Sequence, residues 1–177
     1  LKDPCVEFAV LETARGGILR SGLGFDQCDG AVVTNIAEDH LGLDGIDTIE
    51  KLAKVKSVVP ETVSATGYAV LNADDDLVYA MKDRVSCKLA LFSLHADSLR
   101  IEEHCNKGGL AAVYEDGYLL LRTGNHIIPI EEARNIPMTF DGRAEFNIAN
   151  ALAASLAAYT NRIQLKEIRE ALRNFFP

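Results

Sequence analysis

The 177-residue sequence lacks an excess of positive charge: 26 Asp and Glu against 18 Lys and Arg leave a formal net charge of −8. That balance argues against nonspecific binding to nucleic acid or to an anionic membrane surface. It leaves room for a nucleotide, because backbone amides and a metal neutralise phosphates locally. No apolar run reaches membrane-spanning length. The opening Leu1-Lys-Asp-Pro-Cys-Val-Glu has no apolar core of the kind a secretory signal needs. The four cysteines, Cys5, Cys28, Cys87 and Cys105, form no C-x-x-C pair, which argues against a structural zinc site. Their thin scatter reads as reduced thiols of a cytoplasmic protein. His95, His104 and His126 sit in no motif and read as structural or solvent-exposed. The phosphate-loop pattern G-x-x-x-x-G-K-[ST] is missing, as are internal repeats, low-complexity tracts and flexible linkers. Hydrophobic residues at 48 % and charged residues at 25 % give an ordinary globular balance, and the length fits one domain.

What is present centres on residues 31–56, AVVTNIAEDHLGLDGIDTIEKLAKVK. Ala31 to Thr34 is a short apolar, β-branched run that suits a strand buried on both faces. Asn35, Glu38, Asp39 and His40 follow at once. Open α/β sheets place their ligands just past the carboxyl ends of such strands. A helix over 48–63 comes next, with Thr48 as N-cap, Leu52, Val55, Val59 and Val63 as its apolar stripe, and Lys56 one turn before Pro60. Read without ligands, the same stretch is a solvated acidic loop leading into a capped amphipathic helix.

Around this centre the pattern is strand, helix, strand, helix. Val6 to Leu11 reads as a buried strand carrying Glu12 at its end. Gly16 and Gly17 open a short helix over 18–23, either as a tight turn or as a close backbone approach to phosphate. Gly67 to Leu71 is a strand ending in Asn-Ala-Asp-Asp, with Asp74 as cap of a helix over 75–84. Leu89 to Phe92 is a further buried strand. Such alternation predicts right-handed crossovers and a parallel sheet. From Leu110 the reading changes to a meander, with turns at Asp116-Gly117 and Gly124-Asn125, which predicts a small antiparallel sheet apart from the main one. Pro129 puts its last strand at an edge. A long Ala-rich helix from Ala144 to about Tyr159 and an amphipathic helix over 165–176 close the chain. The fold class expected is an open, mostly parallel α/β sheet flanked by helices, with a small antiparallel insertion.

The pattern T-N-I-x-x-D-H-L-G followed by K-x-K resembles the central ATP-binding domain of the Mur ligase superfamily. Glu12-Thr-Ala-Arg-Gly-Gly-Ile-Leu-Arg-Ser-Gly-Leu-Gly is similar to the Mur-ligase-like part of cyanophycin synthetases. Leu71-Asn-Ala-Asp-Asp75 and Phe146-Asn-Ile-Ala-Asn150 also match family patterns, and the likeness covers nearly the whole chain. It implies one domain over 1–177, a fragment of a longer ligase. The phosphate loop is expected before Leu1 and a third domain after Pro177, and the fragment alone is expected to be inactive.

The resemblance further implies an acid–amino acid ligase that uses ATP and Mg2+. ATP activates a carboxylate as an acyl phosphate, and an amine then displaces the phosphate to leave an amide. In the cyanophycin-synthetase type, arginine joins the side-chain carboxylates of a polyaspartate backbone. Carried over residue by residue, Glu12 and His40 are the metal ligands, and Lys56 is the lysine that relatives carbamylate. Magnesium favours hard oxygen donors, so a histidine ligand comes from the resemblance and not from spacing. Asn150 matches the asparagine that contacts adenine, with Asn147 and Asn35 completing the nucleotide-binding set. Asn35 and Asp39 would also shape the strand-end loop and orient His40. Arg15 and Arg20 have the charge to meet carboxylate or phosphate. Phe146 stands where many relatives carry His. Two other readings stay open: a different Mur-superfamily ligase, acting on a peptidoglycan precursor or folylpolyglutamate, and a nucleotide-binding domain without catalysis. The amino acid added and any homo-oligomeric state are likewise open.

Overall fold

The computed structural model describes residues 4–38, 42 and 45–176. Its centre is a six-stranded sheet in sequential order: β1 (Cys28–Val33), β2 (Val63–Asn72), β3 (Lys88–Ser93), β4 (Leu110–Glu115), β5 (Tyr118–Thr123) and β6 (His126–Glu132). β1 to β4 are parallel, and β4–β5–β6 are antiparallel. The antiparallel strands lie at the expected residues. They do not form a separate sheet, however, because β4 pairs with β3 in register Ala90↔Leu110 to Ser93↔Val113 and carries the meander into the main sheet. β6, with Pro129, is an edge.

The helices are α1 (Arg15–Ser21), α2 (Ile49–Glu61), α3 (Asp76–Tyr79), α4 (Leu99–Asn106), α5 (Glu145–Thr160) and α6 (Leu165–Asn174). Period-two alternation sends neighbouring strand residues to opposite faces. Ala69, Leu71, Leu91, Ala111 and Val113 pack under Leu52 of α2, Val78 of α3, and Ile101 and Cys105 of α4. Val70, Ala90, Phe92 and Ala112 pack under Ile148, Leu152 and Leu156 of α5, with Ile168 and Leu172 of α6 behind them. The result is a three-layer α/β/α fold.

Several sequence expectations need correction. Residues 6–11 form no strand: Val6, Phe8 and Leu11 are exposed, and Val10 is 96 % exposed. A strand needs a neighbour, and no described strand flanks β1 on its free side. α1 begins at Arg15, so both glycines lie inside its first turn, and the Gly17 N–H is spent on the Ala14 carbonyl. α2 ends at Glu61, and Val63 opens β2 instead of extending the helix. Pro60 cannot donate to the Lys56 carbonyl, and the Thr62 hydroxyl caps the Val59 carbonyl. The helix expected over 75–84 is one α-turn followed by a 3-10 turn over Ala80–Asp83. Its cap is Asp75, which accepts from the Leu77 and Val78 amides. α4 lies where no helix was expected.

One ion pair fastens the far edge. Glu131 in β6 is only 6 % exposed and accepts from Asn135 Nδ2 at 2.9 Å, Arg173 Nε at 2.7 Å and the Glu132 amide at 3.0 Å. Burial pushes its carboxyl upward, but the bonds from Asn135 and Arg173 outweigh that and hold it below the ordinary value. A depressed carboxyl contributes stability above its ordinary titration range and loses it as pH falls through the lower folded value. Glu131→Ala is therefore expected to cost about 2 kcal/mol near neutrality, because it strands the Arg173 and Asn135 donors. The gap between wild type and Glu131→Gln in urea unfolding should close as pH falls below the ordinary carboxylate range and through the lower folded value. A constant gap would refute this account.

Candidate active site at the carboxyl edge of the sheet

The site is built where the parallel strands end. β1 runs out into Thr34 and Asn35, β2 into Asn72, Ala73 and Asp74, and β3 into Leu94 and His95. α2 returns beside the first of these. Its start is fixed by Thr48, whose side chain accepts from the Lys51 amide, and Glu50 lies in its first turn. Glu50 is held below the ordinary carboxylate value by a backbone amide first and by Thr48 second. Two turns on, the half-buried Lys56 donates from Nζ to the Asn35 carbonyl at 3.3 Å. Two of the expected site residues, separated by 21 positions, therefore meet.

α5 brings the next two. Its carboxyl end lies over the beginnings of the strands, since a Cβ on Gly30 of β1 would come within 3.3 Å of Asn161 Nδ2, just past the helix. A 16-residue helix is about 24 Å long, enough to carry its first turns back to the carboxyl edge. Asn147 and Asn150 stand on those turns. Asn147 donates from Nδ2 to the Met138 carbonyl at 2.6 Å, so part of its amide is spent on the loop before α5. Asn150 is exposed, and its side chain makes no hydrogen bond with a described residue, which leaves its carboxamide donor and acceptor available. Phe146 is 69 % exposed beside them. The turn that enters α5 places Phe140, Asp141 and Gly142 in succession at positive φ. It is held by the fully buried Thr139, whose hydroxyl reaches the Ala133 and Ile136 carbonyls and accepts from the Gly142 amide.

Glu12 is exposed in the irregular segment before α1 and makes no ion pair among the described residues. Lys56 bonds to the Asn35 carbonyl and makes no ion pair with Glu12. Arg20 folds back on the Gly16 carbonyl. His40 and Asp39 lie outside the described residues. Among the described residues no three His, Cys, Asp or Glu side chains gather into a metal-binding group. Among the described residues no two cysteines form a disulfide. Burial pushes the Cys87 and Cys105 thiols up, as suits packing and not reactivity. His104 bonds to the Leu110 carbonyl, and burial lowers its pKa.

Sequence reasoning gave too little weight to the polar run after β2. Asn72 donates from Nδ2 to the Thr34 carbonyl at 2.8 Å and accepts from the Asp74 amide at 2.9 Å. Asp74 accepts from Ser93 Oγ and from the Leu94 amide. Asp75 accepts from the Ile36 amide at 2.7 Å while it caps α3. Three neighbouring side chains thus tie the ends of β1, β2 and β3 together. The signal was visible as an Asn/Asp cluster directly behind a buried strand, a place where such side chains bond to nearby backbone.

A three-layer α/β sheet with polar groups gathered past its parallel strand ends is of the open α/β class, whose members place their ligands at that edge. Residues 1–158 match the Mur ligase middle domain, and the chain belongs to that family. It is 58 % identical over 175 residues to a cyanophycin synthetase of Synechocystis sp., covering 99 % of this chain and 20 % of that protein. A UDP-N-acetylmuramoylalanine–D-glutamate ligase of Caldanaerobacter subterraneus is 32 % identical over 143 residues, 81 % of this chain and 27 % of the relative. The fold matches the crystal structure of MurF from Acinetobacter baumannii with a TM-score of 0.55 at 19 % identity, over 85 % of this chain and 30 % of that one. The chain spans about one fifth of the length of the cyanophycin synthetases it matches. No described helix is long and apolar enough to cross a membrane.

Proposed function

We propose that this chain is the central nucleotide-binding part of a cytoplasmic, ATP-dependent acid–amino acid ligase of cyanophycin-synthetase type. The observation that carries the reading is identity of 55–58 % to proteins of that name across essentially the whole chain. The more distant D-glutamate ligases share it at only 28–32 %. In the proposed reaction a side-chain carboxylate of a polyaspartate backbone attacks the γ-phosphorus of ATP and releases ADP. The amine of arginine then attacks the acyl phosphate, loses a proton, and expels phosphate as the amide forms.

The residues present suit the parts they are given. Asn150 offers an amide donor and acceptor together, which is what adenine's N6 and N7 edge requires. Asn147 and Asn35 flank the same edge of the sheet. Glu12 and His40 would hold Mg2+, and the exposed carboxylate of Glu12 is the hard oxygen donor that this ion favours. When bound, the metal would supply charge neutralisation for the phosphates and polarise the substrate carboxylate. Lys56, fixed against the Asn35 carbonyl, would act as a carbamate.

The test uses the full-length protein with ATP, Mg2+, a polyaspartate peptide and arginine. ADP is expected only when both acid and amine are present, together with a peptide mass increase of one arginine less one water. ADP release that ignores arginine, or amide formation on a different acid, would overturn the assignment.

A further inference from the structure

We propose that Asn72 is a positioning residue for the ligase reaction, acting through the strand-end loop that carries Asn35. This rests on the functional reading above. The carboxamide of Asn72 does two things at once. Its Oδ1 accepts from the Asp74 amide at 2.9 Å, which shapes the turn leaving β2. Its Nδ2 donates at 2.8 Å to the carbonyl of Thr34, the residue immediately before Asn35. On the other side of Asn35, the Ile36 amide donates to Asp75 at 2.7 Å. Asn35 is therefore clamped from both neighbours by side chains that come from the end of β2. The Asn35 carbonyl is the one described acceptor of Lys56 Nζ, at 3.3 Å.

The register supports the same chain of contacts. β1 pairs with β2 from Gly30↔Tyr68 to Val33↔Leu71, and the ladder stops there. Beyond Val33 the backbone has left the sheet, and the Asn72 side chain continues the attachment. Ordered strands alone would not set the direction of the Asn35 carbonyl. Asn72 and Asp75 do, and through that carbonyl they set where the Lys56 ammonium or its carbamate stands. Outer-shell groups of this kind typically change activity by about 10- to 100-fold when removed.

The two bonds of Asn72 can be separated. Asn72→Asp keeps the acceptor for the Asp74 amide and loses the donor to Thr34, whereas Asn72→Ala loses both. The experiment measures kcat and KM for ATP, and the melting temperature, of full-length wild type and both variants. Wild-type ligase activity is established first, and its absence would sink the functional reading itself. Given that activity, both variants are expected to keep a wild-type melting temperature and KM for ATP within about threefold, with kcat lowered about tenfold or more. If Asn72→Asp keeps near-normal kcat, the residue merely shapes a turn and the proposal is wrong. If Asn72→Ala fails to fold, Asn72→Asp decides alone by the same criterion. A loss confined to KM in either variant also overturns the proposal, because it would place Asn72 in nucleotide binding and not in positioning Lys56.

Discussion

In the full-length protein, Lys56→Ala is expected to lower ligase turnover by about a hundredfold or more, the scale of losing one preorganised charged group from a phosphoryl-transfer site. Its melting temperature should stay within a few degrees of wild type. The structural cost is small, because Lys56 is half-buried and its only described hydrogen bond is to the Asn35 carbonyl at 3.3 Å. Surface changes of that kind usually fall within about 0.5 kcal/mol. The chemical cost is large under the proposed role. The ammonium first gives up a proton, and the neutral amine then joins CO2 and releases a second, so a cation becomes an anionic oxygen donor. Arginine cannot make that product while keeping the positive charge. Lys56→Arg is therefore expected to be as impaired as Lys56→Ala. A small added carboxylate such as acetate should restore part of the alanine variant's activity by replacing the lost oxygen donor. Near-normal turnover in Lys56→Ala would reduce Lys56 to a surface lysine. Good activity in Lys56→Arg would leave it a role as a cation only.

Much of this architecture was legible because the core is periodic. The apolar runs 67–71 and 89–92 are almost continuous, as strands buried on both faces must be, and both form the sheet centre. Thr48, the Asp116-Gly117 turn and Pro129 each spoke through local chemistry, and each sits where expected. Failures came where the deciding interaction is not local. Residues 6–11 have strand composition, yet a strand exists only through a partner, and composition carries no information about one. The meander was read correctly strand by strand, but its attachment depends on β4 meeting β3 across the α4 connection, and α4 went unread. Its turn-spaced pair Ile101 and Cys105 is fully buried, but the remaining apolar residue of the eight, Leu99, is exposed, which leaves a weak amphipathic signal. In the site, Lys56 and Asn35 were named from resemblance, and the structure supplies their contact. Asp74 reads as a cap because it precedes a helix. Asp75, one position on, has the extended backbone that lets its oxygens face the free amides.

The other large effect concerns stability. Gly67→Ala is expected to destabilise the domain by roughly 3 kcal/mol or more, at the upper end for inserting one carbon into a packed place. A Cβ at position 67 would stand 2.2 Å from the Asp29 carbonyl oxygen, 2.9 Å from its carbon and 2.8 Å from Val63 Cγ1. The first two are backbone atoms of the neighbouring chain segment, so no side-chain rotation relieves them. Space can come only from moving β1 away from β2. At this point the pairing is already irregular, changing from Cys28↔Val63 to Gly30↔Tyr68, with the extra residues of β2 gathered opposite Asp29. The bulge brings the two backbones unusually close, and glycine is what permits it. Displacing β1 would also shift its carboxyl end, Thr34 and Asn35, so activity should fall together with stability. For a domain of this size the loss corresponds to about 6–12 °C in melting temperature. Gly17→Ala serves as the control. Its added carbon meets nothing within 4 Å, and it sits inside α1, where alanine is the better helix former by about 1 kcal/mol. Thermal unfolding of the full-length protein, followed by circular dichroism, should therefore separate the two alanine variants widely. Equal midpoints would mean that β1 and β2 part at no cost, and the close approach at Gly67 would then have no bearing on the fold.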